Sequence, residues 1–337
     1  MKKIVFIISL SMALSASSLI DQVKTSGLIA IPSSDKELRK LVDNTNNPMT
    51  EDKIALGKML YIDPRLSKSG LISCNTCHNL GLAGADNVPA AIGHKWTVNP
   101  HGLSSPTVYN AVFYDKQFWD GRSPNLEDQA QGPIQAAPEM AATQDHVVKT
   151  VTSMPEYVTA FKNAYGKDVK ITFEKVADTI AVFERTLVTP SRYDDFLNGN
   201  VSALSLKEKA GLKTFIDKGC VSCHNGIALG GSMQMFGVVA PYKYAKVGDF
   251  KGDANGMVRT PTLRNITQTA PYFHNGQVVT LKEAIVEMGR IQLGLEISDA
   301  EASSIEAFLG ALKGRKPLIT YPELPTATDT TPKPSFN

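Results

Sequence analysis

Two short stretches, SCNTCHNL at Ser73–Leu80 and GCVSCHNG at Gly219–Gly226, hold all four cysteines of the chain. In each, two thiols are spaced by two residues and followed at once by a histidine. On one helical turn, positions i and i+3 share a face, so both sulfurs can reach one edge of a flat group while the next residue turns its imidazole inward. Covalent c-type haem attachment uses that arrangement: the thiols add to two vinyl groups and the histidine ligates the iron. Cys74, Cys77 and His78 form one such site; Cys220, Cys223 and His224 form the other. A redox dithiol has no use for the following histidine and would sit in a βαβ surround. A four-cysteine zinc site usually closes across a loop of about 15–20 residues, whereas almost half the chain separates Cys77 from Cys220.

The elements that must carry these motifs read as helices joined by long irregular connections. From Thr172 to Leu187, apolar residues at Phe173, Val176, Ile180, Phe183 and Leu187 recur at three or four and form one buried helical face. Ser205 with Glu208, Thr280 with Glu283, and Ser298 with Glu301 fit the S/T-x-x-E capping box. The helix from Ser205 ends at Gly219 and delivers the chain to Cys220; another opens at Thr50, runs to Tyr61 and leads to Cys74. An amphipathic helix ahead of each CxxCH implies an approximate internal duplication with one haem per unit. Strand-like alternation is scarce, so the expected class is mainly α: two cytochrome c-like haem domains with long irregular loops. The first domain is expected at 21–190 and the second at 191–320, with a flexible tail at 321–337 that lacks periodic apolar residues. The Gly/Ala/Pro/Ser-rich connection Gly81–Thr107 exceeds the roughly 12–15 residues of ordinary loops and carries His94 and His101, which marks it as functional.

At 337 residues the chain has room for about two domains, and 42% hydrophobic with 20% charged residues is the composition of a folded globular protein. The net charge of +2 includes Lys2 and Lys3, so there is no nucleic-acid footprint. The opening MKKIVFIISLSMALSASS places two lysines before a short apolar run and small residues, the pattern of a signal peptide cleaved near residue 17. The run is shorter than the roughly 20 residues of a spanning helix. The mature protein is expected in the periplasm, with no membrane span.

Each proximal histidine leaves one axial position to be filled, and the filler separates electron transfer from chemistry. By composition alone, His101 competes with His94 for one iron, and Met233 and Met235 compete with Met288 for the other. The segments IGHKW, FWDGRSPNLEDQAQGP, QAAPEM, RTPTLRNITQTAPYFHNG and EMGRIQLG give the chain a resemblance to the bacterial dihaem cytochrome c peroxidases from about Asp35 to Leu312.

That resemblance implies reduction of hydrogen peroxide to water with electrons from a small redox protein, a cytochrome c or a cupredoxin. It implies His78 and His94 on the iron of a peroxidatic N-terminal haem, and His224 and Met288 on that of a C-terminal electron-transfer haem. Glu139 would be the general acid–base, Gln129 would position the peroxide or its water, and Trp119 would bridge the haems. His274 would lie beside a haem without ligating it, and His146 reads as a surface residue. The resemblance also implies a homodimer and a calcium ion held by the backbone oxygens of Thr269 and Pro271. There Ser104 replaces the side-chain amide of the family pattern. A non-catalytic dihaem carrier would have no need of the Trp119 and Glu139 segments. The related enzymes that mature a tryptophan-derived cofactor carry tyrosine where this chain has Met288.

Overall fold

The computed structural model describes residues 19–337; the expected leader at 1–17 lies outside them. Helix starts follow the caps read from the sequence. Thr50, Thr172, Ser205, Thr280 and Ser298 each accept, through the side-chain oxygen, the backbone N–H three residues on, satisfying a donor that the first turn leaves without a helical partner. Ser205 and Ser298 complete the reciprocal box with Glu208 and Glu301.

Two helix crossings organise the chain. The Glu51–Ile62 helix packs on Phe173–Glu184, and Leu206–Asp217 packs on Asp299–Ala311. Both crossings use a glycine for close approach: a Cβ at Gly57 would strike the Thr179 carbonyl, and one at Gly211 the Ser304 carbonyl. Beside each glycine an aromatic pair closes the contact, Tyr61 with Phe183 and Phe215 with Phe308, both at 5.3 Å between ring centroids. The first core gathers Leu56, Leu60, Ile134, Val147, Phe161 and Ile180; the second gathers Tyr193, Phe196, Leu212, Ile291 and Ile305. The buried stripe expected from Phe173 to Leu187 is buried at all five positions. Among the described residues one small sheet forms, with β1 (Met233–Met235) antiparallel to β2 (Met257–Arg259).

A second duplicated motif ties the halves together. Ser104-Ser-Pro-Thr-Val-Tyr-Asn110 and Arg259-Thr-Pro-Thr-Leu-Arg-Asn265 share a path: Thr107 and Thr262 donate to the carbonyls of Ala83 and Ala228, and Asn110 and Asn265 are left-handed, at φ 65° and 62°. Both asparagines donate to the same hydroxyl, Thr189 Oγ1, at 2.8 and 2.9 Å. Further on, FWDG (Phe118–Gly121) and FHNG (Phe273–Gly276) form matching turns, and each copy holds the turn of the other. Ser104 N–H donates to the His274 carbonyl and Arg259 N–H to the Trp119 carbonyl, both at 2.8 Å.

Two boundaries differ from expectation. Leu19, Val23 and Leu28 pack in the second core, and the N–H of Ile31 donates to Asp194 at 2.7 Å, so the start of the expected first domain lies on the second. The tail beyond residue 320 is seated on the first unit rather than loose. Arg65 donates to the Pro325 carbonyl at 2.6 Å, Thr328 to the Ser153 carbonyl at 3.0 Å, and the Ser335 N–H to Lys68 at 2.9 Å. An extended Pro/Thr segment held through backbone groups carries no apolar period, so nothing in its pattern announces this docking.

Candidate functional site

The first CxxCH lies on one helical turn, Cys74–Cys77, with the Thr76 hydroxyl accepting from Ser73 N–H at 2.9 Å. His78 follows as the cap. Its Nδ1 sits 2.8 Å from the Pro106 carbonyl, and because a carbonyl only accepts, Nδ1 carries the proton and Nε2 keeps its lone pair. Tyr61 from the preceding helix donates to the His78 carbonyl at 2.8 Å. The second CxxCH repeats the device: His224 Nδ1 lies 3.2 Å from the Leu229 carbonyl. Burial lowers its pKa to about 4, so the ring is neutral. All four thiols are free; burial pushes Cys77 up to about 12 and Cys220 to about 11.

The Gly81–Thr107 connection is ordered by its own bonds. Ile92 and Val98 bridge, and His94–Trp96 form a tight turn between them. Cys77 Sγ lies 3.7 Å from the Ile92 carbonyl, which places this turn over the first cysteine pair. His94 is 8% exposed, and its Nδ1 is buried without a partner. Its N–H donates to the Glu139 carbonyl at 2.7 Å. Burial raises the pKa of the Glu139 carboxyl above the ordinary value, against the pull of Arg122 and His101. Gln129 is half-buried at the end of the Leu126–Gln129 turn, with no hydrogen bond to His94 or Glu139. His101 points elsewhere, pairing with Asp249 at 2.9 Å on the surface. His146 bonds the Arg65 carbonyl at 3.0 Å and takes no part in either cysteine–histidine site.

One large apolar cavity takes in the second site. Cys220, Cys223, His224 and Met288 all line it, as do Trp119 and His274. Met288 ends the Leu281–Met288 helix, and a single π-turn, Gly289–Leu293, follows it, a local irregularity common where a helix serves a site. Met235 also reaches the wall but is 48% exposed, and the Met233 thioether packs against Gly121. Trp119 donates to the Ser104 carbonyl at 2.9 Å and meets His274 edge to face, with ring centroids 6.4 Å apart. Ser104, Thr269 and Pro271 lie on the same wall. Among the described residues no three His, Cys, Asp or Glu side chains converge as a metal cluster.

Sequence reasoning missed Arg259, Gln268 and Thr189. The repeat of SPTVYN as TPTLRN sets Arg259 opposite Ser104 but gives no sign that the arginine is buried, and nothing local marks Gln268 or Thr189.

A profile described as di-haem cytochrome c peroxidase matches residues 51–202. The cytochrome c551 peroxidase of Pseudomonas aeruginosa is 46% identical, over 90% of this chain and 89% of that one. The cytochrome c551 peroxidase of Nitrosomonas europaea is also 46% identical, over 85% and 87%. The methylamine utilization protein MauG of Methylorubrum extorquens is 34% identical, over 83% of each. Among solved structures, a MauG-like protein associated with microbial copper homeostasis superposes with a TM-score of 0.70 at 26% identity, covering 80% of this chain and 92% of that one.

Proposed function

The chain belongs to the di-haem cytochrome c peroxidase family and is an oxidoreductase acting on hydrogen peroxide; on that premise we propose that its first CxxCH unit is the peroxide-reducing site and its second the electron entry. The observation that carries this division is the seating of His94 against Glu139 by a 2.7 Å backbone bond over the first cysteine pair, while Met288 shares a cavity with His224.

The residues suit two c-type haems. His78 and His224 are fixed by backbone carbonyls in the tautomer that offers Nε2, and His94 has a buried ring nitrogen without a protein partner. Cys74 and Cys77, and Cys220 and Cys223, would hold the haems covalently, with His78 and His94 on the first iron and His224 and Met288 on the second. The haems supply the iron and the electrons for reduction of peroxide to water.

The chain supplies the rest. His94, as the second ligand of the first iron, would keep peroxide out of the resting enzyme until its loop moves. Glu139, its carboxyl shielded from water, takes the proton from the near oxygen of peroxide and returns it to the departing one. Gln129 orients the substrate. Trp119, on the wall of the second cavity and hydrogen-bonded to the Ser104 carbonyl, would carry electrons from the second haem toward the first. The domains carrying these roles are 21–190 and 191–320, with residues 21–28 of the first packed on the second core.

The donor is a small cytochrome c or cupredoxin, and the compartment is the periplasm. Trp96 and Val98, exposed on the His94 loop, offer an apolar face to a second copy, which supports a homodimer. The Thr269 and Pro271 carbonyls suit calcium, and the buried, unpartnered Gln268 Oε1 adjoining them is an additional oxygen where Ser104 lacks an amide. The test is peroxide-dependent oxidation of reduced cytochrome c by the holoprotein, as isolated and after reduction of its second haem alone. Turnover only after half-reduction supports a His94 gate; turnover in both states removes the gate, and turnover in neither removes the division of roles.

A further inference from the structure

Two arginines of the second copy are fully buried, and they are treated differently. Arg264 is 0% exposed and makes a two-pronged pair with Asp194, both bonds at 2.8 Å. Arg259 is 1% exposed and, among the described residues, meets no carboxylate. Its Nε donates to the Phe118 carbonyl at 3.0 Å, its guanidinium lies 4.3 Å from the Tyr114 ring centroid and 5.7 Å from that of Trp119, and its Nη1 has no partner. A buried guanidinium left in this state is strongly disfavoured unless an anion completes it.

The surroundings say where that anion sits. Arg259 is on the wall of the second cavity, and among the described residues it is the one charged side chain there, with no Asp, Glu or Lys lining it. His274, beside it on the same wall, is kept neutral by burial, which lowers its pKa to about 4. The cavity therefore presents one fixed positive charge, with a free donor, inside an apolar shell. The equivalent position in the first copy is Ser104, so the duplication has left this cation on one side only.

We propose that Arg259 is the seat of a carboxylate within the second cavity, namely a propionate of the haem bound there, and that its charge holds that haem at the higher reduction potential. The inference rests on the reading of this cavity as the second haem site. A planar fork against a carboxylate gives paired, charge-assisted bonds, and the uncancelled part of the cation favours the reduced iron, which carries one positive charge less. The same pair keeps the propionate ionised, so the potential of the wild-type haem is insensitive to pH across the neutral range.

The experiment is spectroelectrochemical titration of the second haem in the wild type, R259K and R259Q holoproteins, repeated at several pH values and with added acetate. In R259Q the ferrous-to-ferric ratio at a fixed potential falls at least tenfold, a shift of about 59 mV for one electron, and the potential becomes pH-dependent as the unpaired propionate takes up a proton. R259K keeps the flat pH profile. An R259Q protein with unchanged potential and flat pH response overturns the proposal. A wild-type potential that moves with acetate assigns the anion to solution and overturns the propionate. Should R259Q lose its haem, the wild-type acetate titration and the R259K pH profile decide alone: a wild-type potential unmoved by acetate with a flat R259K profile supports the proposal, and a pH-dependent R259K potential overturns it. Absence of the methionine–iron absorption band in the wild type removes the haem reading itself and the proposal with it, whereas an intact band beside an unaltered R259Q removes only the role of Arg259.

Discussion

The backbone N–H of His94 donates to the carbonyl of Glu139 at 2.7 Å, which ties the proposed gate to the proposed acid by main chain rather than by side chain. Release of His94 must break or carry this bond, so opening the site and freeing the Glu139 segment are one movement. Gly93 makes the close approach possible: a Cβ there would strike the Pro138 carbonyl and the Glu139 backbone. Gly93→Ala is expected to lift the loop and give turnover in the fully oxidised enzyme. Stopped-flow oxidation of reduced cytochrome c without prior half-reduction measures this; a variant as inactive as the wild type in that state counts against a gate hinged here.

At its far end the loop is fastened to the second unit. His101 Nδ1 lies 2.9 Å from Asp249, and next to it Phe250 packs on His274 of the second cavity, ring centroids 5.2 Å apart. The pair is exposed, so it biases the loop only modestly. Asp249→Ala should raise the turnover-competent fraction of oxidised enzyme a few-fold, with the second haem's spectrum unaltered. Equal fractions in variant and wild type would make this contact a bystander.

Glu139 is half-buried, with its carboxyl pKa raised above the ordinary value, chiefly by burial. As the proposed first proton acceptor it must be ionised, so kcat/KM is expected to fall as pH drops through this raised value, at higher pH than a free carboxylate would give. Glu139→Gln should lose about 10²–10⁴ in kcat/KM and also lose that acid limb. Retention of the limb in the glutamine variant would assign it to another group.

How far the sequence reached follows from what kind of signal each feature leaves. Cys74, Cys77, Cys220 and Cys223 with their histidines announce themselves because the chemistry demands adjacent residues. The Phe173–Glu184 helix and the caps at Ser205 and Ser298 are legible from local period and composition. The Thr189 hydroxyl is not, since its two asparagine partners lie 79 and 76 residues away and meet it only through folding. Arg259 is hidden for a different reason: an arginine reads as surface until the absence of a carboxylate around it is seen. The tail and residues 19–28 depart from expectation because an extended or short segment docks through backbone groups and a few apolar contacts, without a period.

Glu184 carries a pH dependence of stability. It is 6% exposed, its Oε2 has no partner, and its pKa is raised to about 8 by burial and then by Glu127, against the pull of Arg185; Tyr61 and Cys74 lie on its other side. Folded, the group stays protonated to about pH 8; unfolded, it ionises near 4.5. Its stability contribution is complete below the unfolded value and is lost as pH rises through this window, at about 1.4 kcal/mol for each pH increment of one. Glu184→Gln lacks the ionisation and should gain on the wild type by a few kcal/mol between acid and mildly alkaline pH. Urea titrations of the holoprotein at both ends measure the difference, and parallel pH curves would contradict it.

The paired crossings at Gly57 and Gly211 ask whether the two cores unfold together. A methyl at either glycine meets a carbonyl of the facing helix, Thr179 or Ser304, which cannot yield as a flexible side chain would. Overpacking of this kind costs about 1–3 kcal/mol. Gly57→Ala loads only the first core and Gly211→Ala only the second. The halves nevertheless share Thr189, which accepts from both Asn110 and Asn265, and they exchange the Ser104–His274 and Arg259–Trp119 backbone bonds. These ties bury the seam through polar groups that neither half can satisfy alone, so one cooperative transition is expected. Each variant should lower the midpoint of both haem signals in thermal unfolding by the same amount. Separate loss of the second haem's spectrum in Gly211→Ala, with the first site intact, would show instead that the seam yields before the cores.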